Sequence, residues 1–263
     1  MILLLLMLTL VFPDYGISAF LRQHEGAYFP RFRSGGFADA FWWNPGRLLN
    51  FSRFGLSFSQ TDLFGIRELR YQTLCLGVAT PLGTIGSAVK RYGGPYYTEQ
   101  TIALVWAKAL PRHLIFGGGV NRYLLRIPGY GSGTAWGIDL GATWPLRPDL
   151  HWEIAYLNLN SPCIGRAEEY LSRQINTALI YLPDKQLTGA VFLIHELGFP
   201  LRWGMKTECC FLRRISASIE LIDSPAQWGI GASLILKNVE VSYDLSAHPV
   251  LPYTHSLGLH FIH

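Results

Sequence analysis

From Phe54 onward the chain repeats one unit, a run of about ten residues alternating between bulky apolar and small or polar side chains, followed by a break at Gly, Pro, Asn or Asp. A period of two means strands with two unlike faces. The cleanest run is Trp136 to Trp144, where Trp136, Ile138, Leu140, Ala142 and Trp144 share one face and Gly137, Asp139, Gly141 and Thr143 share the other. Its two tryptophans bracket an apolar stretch of about 27 Å at ~3.3 Å per residue. The same opposition recurs further on. Trp203 and Met205 oppose Arg202, Lys206 and Glu208; Ile215, Ile219 and Leu221 oppose Arg214, Ser216 and Glu220. Trp228 and Ile230 oppose Gly229 and Gly231; Val241 and Tyr243 oppose Glu240 and Asp244; Trp152 and Ile154 oppose Glu153.

The pattern places strands near 54–65, 68–80, 84–92, 99–109, 113–126, 133–145, 149–160, 173–182, 186–196, 200–210, 213–222, 227–236, 239–246 and 253–262. Those near 68–80 and 84–92 alternate poorly. That is fourteen strands, an even number as bacterial outer-membrane barrels require. The polar faces are rich in Gly and Ser with isolated charges, where the outer face of a soluble sandwich favours Lys, Glu and Thr. A confined polar lumen fits them better than open water. Breaks such as Pro81-Leu82-Gly83 and Pro145 to Pro148 are short, whereas Arg91 to Glu99 and Ile127 to Thr134 are longer. Short turns at one end and longer loops at the other is the usual asymmetry of such barrels.

Composition sharpens this reading. The 263 residues are 49% hydrophobic, 14% aromatic and 15% charged, against about 25% charged in an average soluble chain. Past the N-terminus no run approaches the ~18 uncharged apolar residues of a membrane helix. High apolar content without a helical span leaves a heavily buried soluble all-β fold or a closed membrane barrel, since lipid tolerates no unpaired backbone. The net charge of +4 is scattered, which gives nucleic-acid binding no support. Cys75, Cys163, Cys209 and Cys210 have no metal-ligand spacing and read as unpaired small residues rather than a disulfide framework.

The N-terminus divides in two. Ile2 to Phe12 is an apolar run broken by Pro13-Asp14-Tyr15-Gly16 and followed by Ile17-Ser18-Ala19, the layout of a signal peptide over 1–19, although no Lys or Arg precedes the run. The competing reading is a buried first strand. Residues 20–52 show no sustained alternation; a short helix followed by a turn at Asn44-Pro45 is expected, in a plug or hatch segment preceding a barrel over 53–263.

The candidate functional residues follow from the faces. Asp139, Glu153, Arg202, Lys206, Glu208, Arg214, Glu220, Glu240 and Asp244 fall on the inward faces, either as mutually paired structural charges or as a polar pathway and holdfast for the plug, with Arg31 and Arg33 as its contributions. Trp136, Trp144, Trp152, Trp203 and Trp228 are candidates for the aromatic girdle at the two membrane interfaces. Catalytic chemistry finds no foothold. His195-Glu196 starts a zinc-protease motif, but residue 199 is Phe. Gly129 to Gly133 is glycine-rich without the Lys-Ser/Thr of a phosphate loop, and G-x-S-x-G is absent. No enzyme activity, cofactor or metal is expected.

Residues 38–48 carry a resemblance. Ala38, Asp39, Ala40, Trp43, Asn44, Pro45 and Leu48 are similar to the N-terminal motif of FadL-like outer-membrane proteins and the related PorV/PorQ family. The sequence departs from it at Gly46 and Arg47, where the family usually has Ala and Gly. Tyr243 to Leu251 with Thr254-His255 resembles the way PorV/PorQ-like chains close, and Asp139-Leu140-Gly141 and Asn158 to Pro162 are weakly similar. The resemblance implies an all-β, antiparallel transmembrane β-barrel of about fourteen strands with a short N-terminal plug-like segment bearing Asp39, Trp43, Asn44 and Pro45. It also implies an outer-membrane location among lipid. For function it implies passage of a hydrophobic small molecule, as in FadL-like members, or a secretion-associated or scaffolding barrel that binds exported proteins, as in PorV-type members. The latter needs a protein-binding surface on the longer loops, for instance around Tyr92 to Tyr97.

Overall fold

The computed structural model describes residues 36–49, 53–165, 169–211, 214–223 and 225–262. The expected leader over 1–19, residues 20–35 of the plug segment, and Arg31 and Arg33 lie outside the described residues. Among the described residues sixteen strands are formed: β1 (Phe54–Asp62), β2 (Arg70–Thr80), β3 (Gly83–Gly93), β4 (Thr98–Ala109), β5 (Ile115–Ile127), β6 (Gly131–Arg147), β7 (Leu150–Leu157), β8 (Cys163–Ile164), β9 (Glu169–Tyr170), β10 (Gln174–Tyr181), β11 (Leu187–Glu196), β12 (Arg202–Phe211), β13 (Ile215–Ile222), β14 (Gln227–Leu236), β15 (Val239–Ala247) and β16 (Thr254–Ile262). Strands β8 and β9 form a small hairpin of their own. The other fourteen form one closed antiparallel barrel in which each strand pairs with its neighbours in sequence and β1 pairs with β16, from Gly55–Ile262 to Asp62–His255. Closure leaves no strand edge, so every wall strand has a hydrogen-bonding partner on both sides.

The bulky faces point outward. Trp136 is 57% exposed and Ile138, Leu140 and Trp144 are also exposed, while Gly137, Asp139, Gly141 and Thr143 between them are buried. The same polarity holds on β12 to β15, where Trp203, Met205, Ile219, Ile230 and Val241 face out and Lys206, Glu208, Glu220 and Glu240 face in. This is the inverse of a soluble sheet protein, whose apolar faces meet inside. An outward apolar band running around the wall calls for a non-aqueous neighbour.

Both poorly alternating strands belong to the barrel. In β3 the inward positions are Thr84, Gly86, Ala88 and Lys90 and the outward ones include Ile85 and Val89. Small inward residues and a buried lysine blur a contrast that burial makes plain. Short connections, such as those joining Thr80 to Gly83, Arg147 to Leu150 and Leu236 to Val239, lie at the end where β1 begins and β16 finishes, here called the terminal end. The distal end carries the connections from Asp62 to Arg70, Ala247 to Thr254 and, longest, residues 158–173 with the β8–β9 hairpin. Residues 158–160, expected to finish a strand, begin this connection instead, because Asn158 takes a left-handed backbone conformation with φ of 54°.

Inside the wall sit two 3-10 segments, Gly36–Phe41 and Pro45–Leu49, joined by a tight bend in which the backbone N–H groups of Trp42, Trp43 and Asn44 all reach the Asp39 carbonyl. The expected short helix and Asn44-Pro45 turn are therefore present, in the tighter 3-10 form. Phe37, Phe41, Trp42 and Leu48 pack with Cys75, Ala88, Ala103, Val105 and Ala107 of the wall into one apolar cluster. Trp43 packs with Phe192, Ile180, Ile194 and Ile222 into another.

Candidate functional site

The candidate site is the lumen, and at its centre sits the internal segment over residues 36–49, here called the plug after its expected role. Asn44 shapes the bend: its side-chain oxygen accepts from the Gly46 N–H at 2.9 Å, and its side-chain amide donates to the Ala142 carbonyl at 3.1 Å and Thr143 Oγ1 at 3.3 Å. Asx residues followed by Pro favour such turns because the side chain substitutes for a backbone partner. The Trp43 carbonyl accepts from Asn176 Nδ2 at 3.0 Å on β10. The wall answers with glycine. A Cβ on Gly86 would lie 2.7 Å from Phe41 and 2.8 Å from Leu48, and one on Gly117 or Gly141 would overlap Pro45 or Asn44. Inward glycines, read in the sequence as part of a polar lumen, are where the backbone of the plug meets the backbone of the wall.

One cation fastens the assembly. Arg47 Nη1 donates to Asp39 Oδ2 at 2.7 Å within the plug, and its Nε donates to Glu153 of β7 at 3.0 and 2.8 Å. Trp43 Nε1 adds a donor to the same Glu153 carboxylate at 3.3 Å. Arg47, Asp39 and Glu153 are 2%, 1% and 4% exposed, so the triad lies out of water. Buried charges are tolerated when each finds charged and hydrogen-bonding partners, and removing one member strands the others. A second cation, Lys90 on β3, lies 4.5 Å from the Trp42 ring centroid, within the range of a cation–π contact.

Opposite the plug's main seat, β12 to β15 carry a separate polar recess. Lys206, Glu208, Ser218, Glu240 and Asp244 line it, and Lys206 reaches Glu220 at 3.5 Å. Near the distal end Asp139 accepts from Asn121 Nδ2 at 2.5 Å and from the Asn158 N–H at 2.8 Å, and Tyr123 donates to Asn158 at 2.7 Å. These bonds pin Asn158, the start of the long connection, onto the wall, where Ile164 and Leu171 pack against Tyr123.

The expected residues fall into place unevenly. Asp39, Trp43, Asn44 and Pro45 come together with Glu153. Lys206, Glu208, Glu220, Glu240 and Asp244 share the β12–β15 wall, and Arg202 is half-buried at the distal start of β12. Arg214 corrects the expectation: it sits in the turn before β13 and is exposed, because β12 ends at Phe211 and the wall no longer encloses it. Trp136, Trp144, Trp203 and Trp228 face outward and exposed; Trp152 faces outward half-buried, opposite Trp144 in register and donating to Thr177 at 2.9 Å. Trp106, also exposed and outward, joins Trp144 and Trp152 towards the terminal end and had not been singled out. Arg47, Lys90, Asn121, Tyr123 and Asn158 were missed as well. Arg47 had a signal, a charge standing where the resembled motif has glycine, in a mostly apolar segment whose other charge is Asp39.

No protein-family model matches the chain, and no curated protein matches it. Solved structures do. The chain is similar to the toluene transporter TbuX of Ralstonia pickettii, with a TM-score of 0.66 at 13% identity over 94% of this chain and 98% of that one. It is similar to the toluene transporter TodX of Pseudomonas putida, with a TM-score of 0.61 at 9% identity over 95% and 98%. It is also similar to the outer membrane protein Omp33 of Acinetobacter baumannii, with a TM-score of 0.54 at 12% identity over 81% and 99%. At these identities the likeness is one of fold: a closed antiparallel β-barrel, as in these two toluene transporters and this outer membrane protein.

Proposed function

We propose that this chain is a plugged barrel of the bacterial outer membrane that passes a small hydrophobic compound, held shut at rest by its N-terminal segment. The observation that carries the reading is the plug itself, an apolar segment fastened through Arg47 to Glu153 inside a barrel whose exterior is apolar. Phe37, Phe41, Trp42 and Leu48 form with the wall an apolar cluster inside the barrel, an interior of the kind a hydrophobic solute needs and a polar pore lacks. The outward tryptophans then serve as the interfacial girdle, since indole prefers the boundary between lipid and water. Residues 1–19 would direct export and 20–52 form the plug. The fold shared with two toluene transporters supports the same cargo class.

A second reading, a barrel that binds exported proteins, is favoured by Tyr96 and Tyr130, which are 83% and 92% exposed on distal connections. One experiment separates the two. Cells whose outer membrane blocks hydrocarbons are given the full chain, and the uptake of labelled toluene and of a long-chain fatty acid is measured alongside a pull-down of periplasmic and surface proteins. Uptake that rises with expression supports transport. Unchanged uptake together with recovery of exported proteins would replace it with the second reading.

A further inference from the structure

We infer that the outer surface of β3 to β5 at the distal end is a docking site for an anionic, phosphate-bearing lipid, held by Arg91, Arg122 and Arg126. The inference rests on the outer-membrane reading and adds to it a lipid class and a place on the wall. Alternation turns the odd positions of β3 and the even positions of β4, β5 and β6 outward. Arg91 stands opposite Gln100 of β4, and Gln100 stands opposite Leu124 of β5. Arg122 and Arg126 lie two residues to either side of Leu124 on the same outward face. The three arginines therefore mark a triangle with Cα separations of about 12–13 Å, from the strand spacing and the rise per residue. All three are exposed, and no described residue holds their guanidinium groups by an ion pair or hydrogen bond. Arg122 lies over Trp136, 5.7 Å from the ring centroid.

Height and charge choose the occupant. Val89, Ile102, Val120 and Ile138 lie directly beneath Arg91, Gln100, Arg122 and Trp136 towards the terminal end, and all four are exposed and apolar. The arginines thus begin where the apolar band stops, which is the level of lipid headgroups beside an interfacial tryptophan. The outward positions of β3 to β6 include no carboxylate, for the acids of these strands, Glu99 and Asp139, are buried on the inner face. Elsewhere at the two rims Arg70 and Arg147 are each matched by an aspartate, Asp62 and Asp149. The positive charge of the β3–β5 face is left for an outside anion. Arginine stems can lie along apolar surface while their heads reach the polar layer, and the guanidinium fork matches the oxygens of a phosphate. Thr98 and Gln100, outward between Arg91 and Arg126, add neutral hydrogen-bonding groups.

The test uses the full chain inserted in phosphatidylcholine nanodiscs, with and without diphosphoryl lipid A. The unfolding midpoint should be several degrees higher with lipid A. An Arg91→Gln/Arg122→Gln/Arg126→Gln variant should lose that rise. A Lys108→Gln/Lys185→Gln/Lys237→Gln variant removes the same charge from exposed positions at the terminal end and should keep it. Inorganic phosphate at matched phosphate concentration should produce no rise. The inference is overturned if the parent shows no rise, if the arginine variant keeps it, if the lysine variant loses as much, or if inorganic phosphate reproduces it. The single arginine substitutions are measured alongside, each expected to lose part of the rise, and they decide the matter if the triple variant does not insert. Insertion of the parent into the neutral bilayer is scored separately by heat-altered gel mobility. Its failure would sink the outer-membrane reading, whereas absence of the lipid A effect in an inserted barrel sinks this inference alone.

Discussion

Arg47 is the residue on which the plug's position depends most. Its guanidinium touches both Asp39 and Glu153, so Arg47→Met keeps the volume but removes the positive charge that the two buried carboxylates share. The expected loss is about 3–5 kcal/mol of plug seating, read as faster protease cleavage of the N-terminal segment while the barrel keeps its heat-dependent gel mobility. Glu153→Gln keeps one acceptor oxygen but sets an NH2 donor where the carboxylate's second oxygen was, and removes one charge while Arg47 keeps Asp39; it should cost less, about 1–3 kcal/mol. Charge at the rim behaves differently. Asp149, in the terminal-end turn between β6 and β7, accepts from Arg147 at 2.9 and 2.6 Å, and that hydrogen bond holds its carboxyl below the usual range. A depressed carboxylate stabilises the folded state above its ordinary pKa, and the contribution fades as pH falls through the folded value. Both partners are solvated, so Asp149→Asn should leave an acid-unfolding curve nearly unmoved, whereas a shift of the whole curve would show that the pair matters.

At the scale of elements, the strands were legible in the sequence and the contacts between them and the plug were not. All fourteen wall strands were placed, twelve of them by a clear period-two contrast, because lipid-facing and lumen-facing positions differ in size and polarity wherever the wall is regular; β2 and β3 alternate poorly. Arg214 was misplaced because alternation carries no information about where a strand stops. The Arg47–Glu153 and Asn44–Thr143 pairs join residues 106 and 99 positions apart, a separation that no local pattern encodes. The glycines on the inner face of β3, β5 and β6 showed as small residues in the sequence, but their purpose emerged only with the plug in place. Gly117→Leu should therefore expel the Asn44-Pro45 bend without opening the wall. Overpacking of this kind costs about 1–3 kcal/mol or more, and single-channel recordings should show a larger or noisier conductance than the parent. Unchanged conductance would mean that the bend tolerates displacement.

For the whole molecule, the decisive property is the inverted distribution of apolar surface, with the bulky residues outside and the charges within. If the exterior lies in lipid, Ile230→Arg near the middle of β14 should cost about 2–4 kcal/mol of stability in bilayers, falling towards zero for substitutions at the rim. Equal tolerance at both depths would remove the membrane from the account. Deleting residues 36–49 should leave a barrel that still closes, since all fourteen strand pairings lie in the wall, and should convert a quiet protein into a conducting one.

The seam between β1 and β16 has a consequence in time. Its register, from Gly55–Ile262 to Asp62–His255, joins the two wall strands furthest apart in sequence, so it cannot zip until the rest of the sheet has been laid down. The Phe37–Leu48 stretch is bound into the curve of β3 to β7 by glycine seats and by Glu153. The occupant of the lumen is therefore enclosed by the last pairing the wall makes, while the wall's own pairings hold without it.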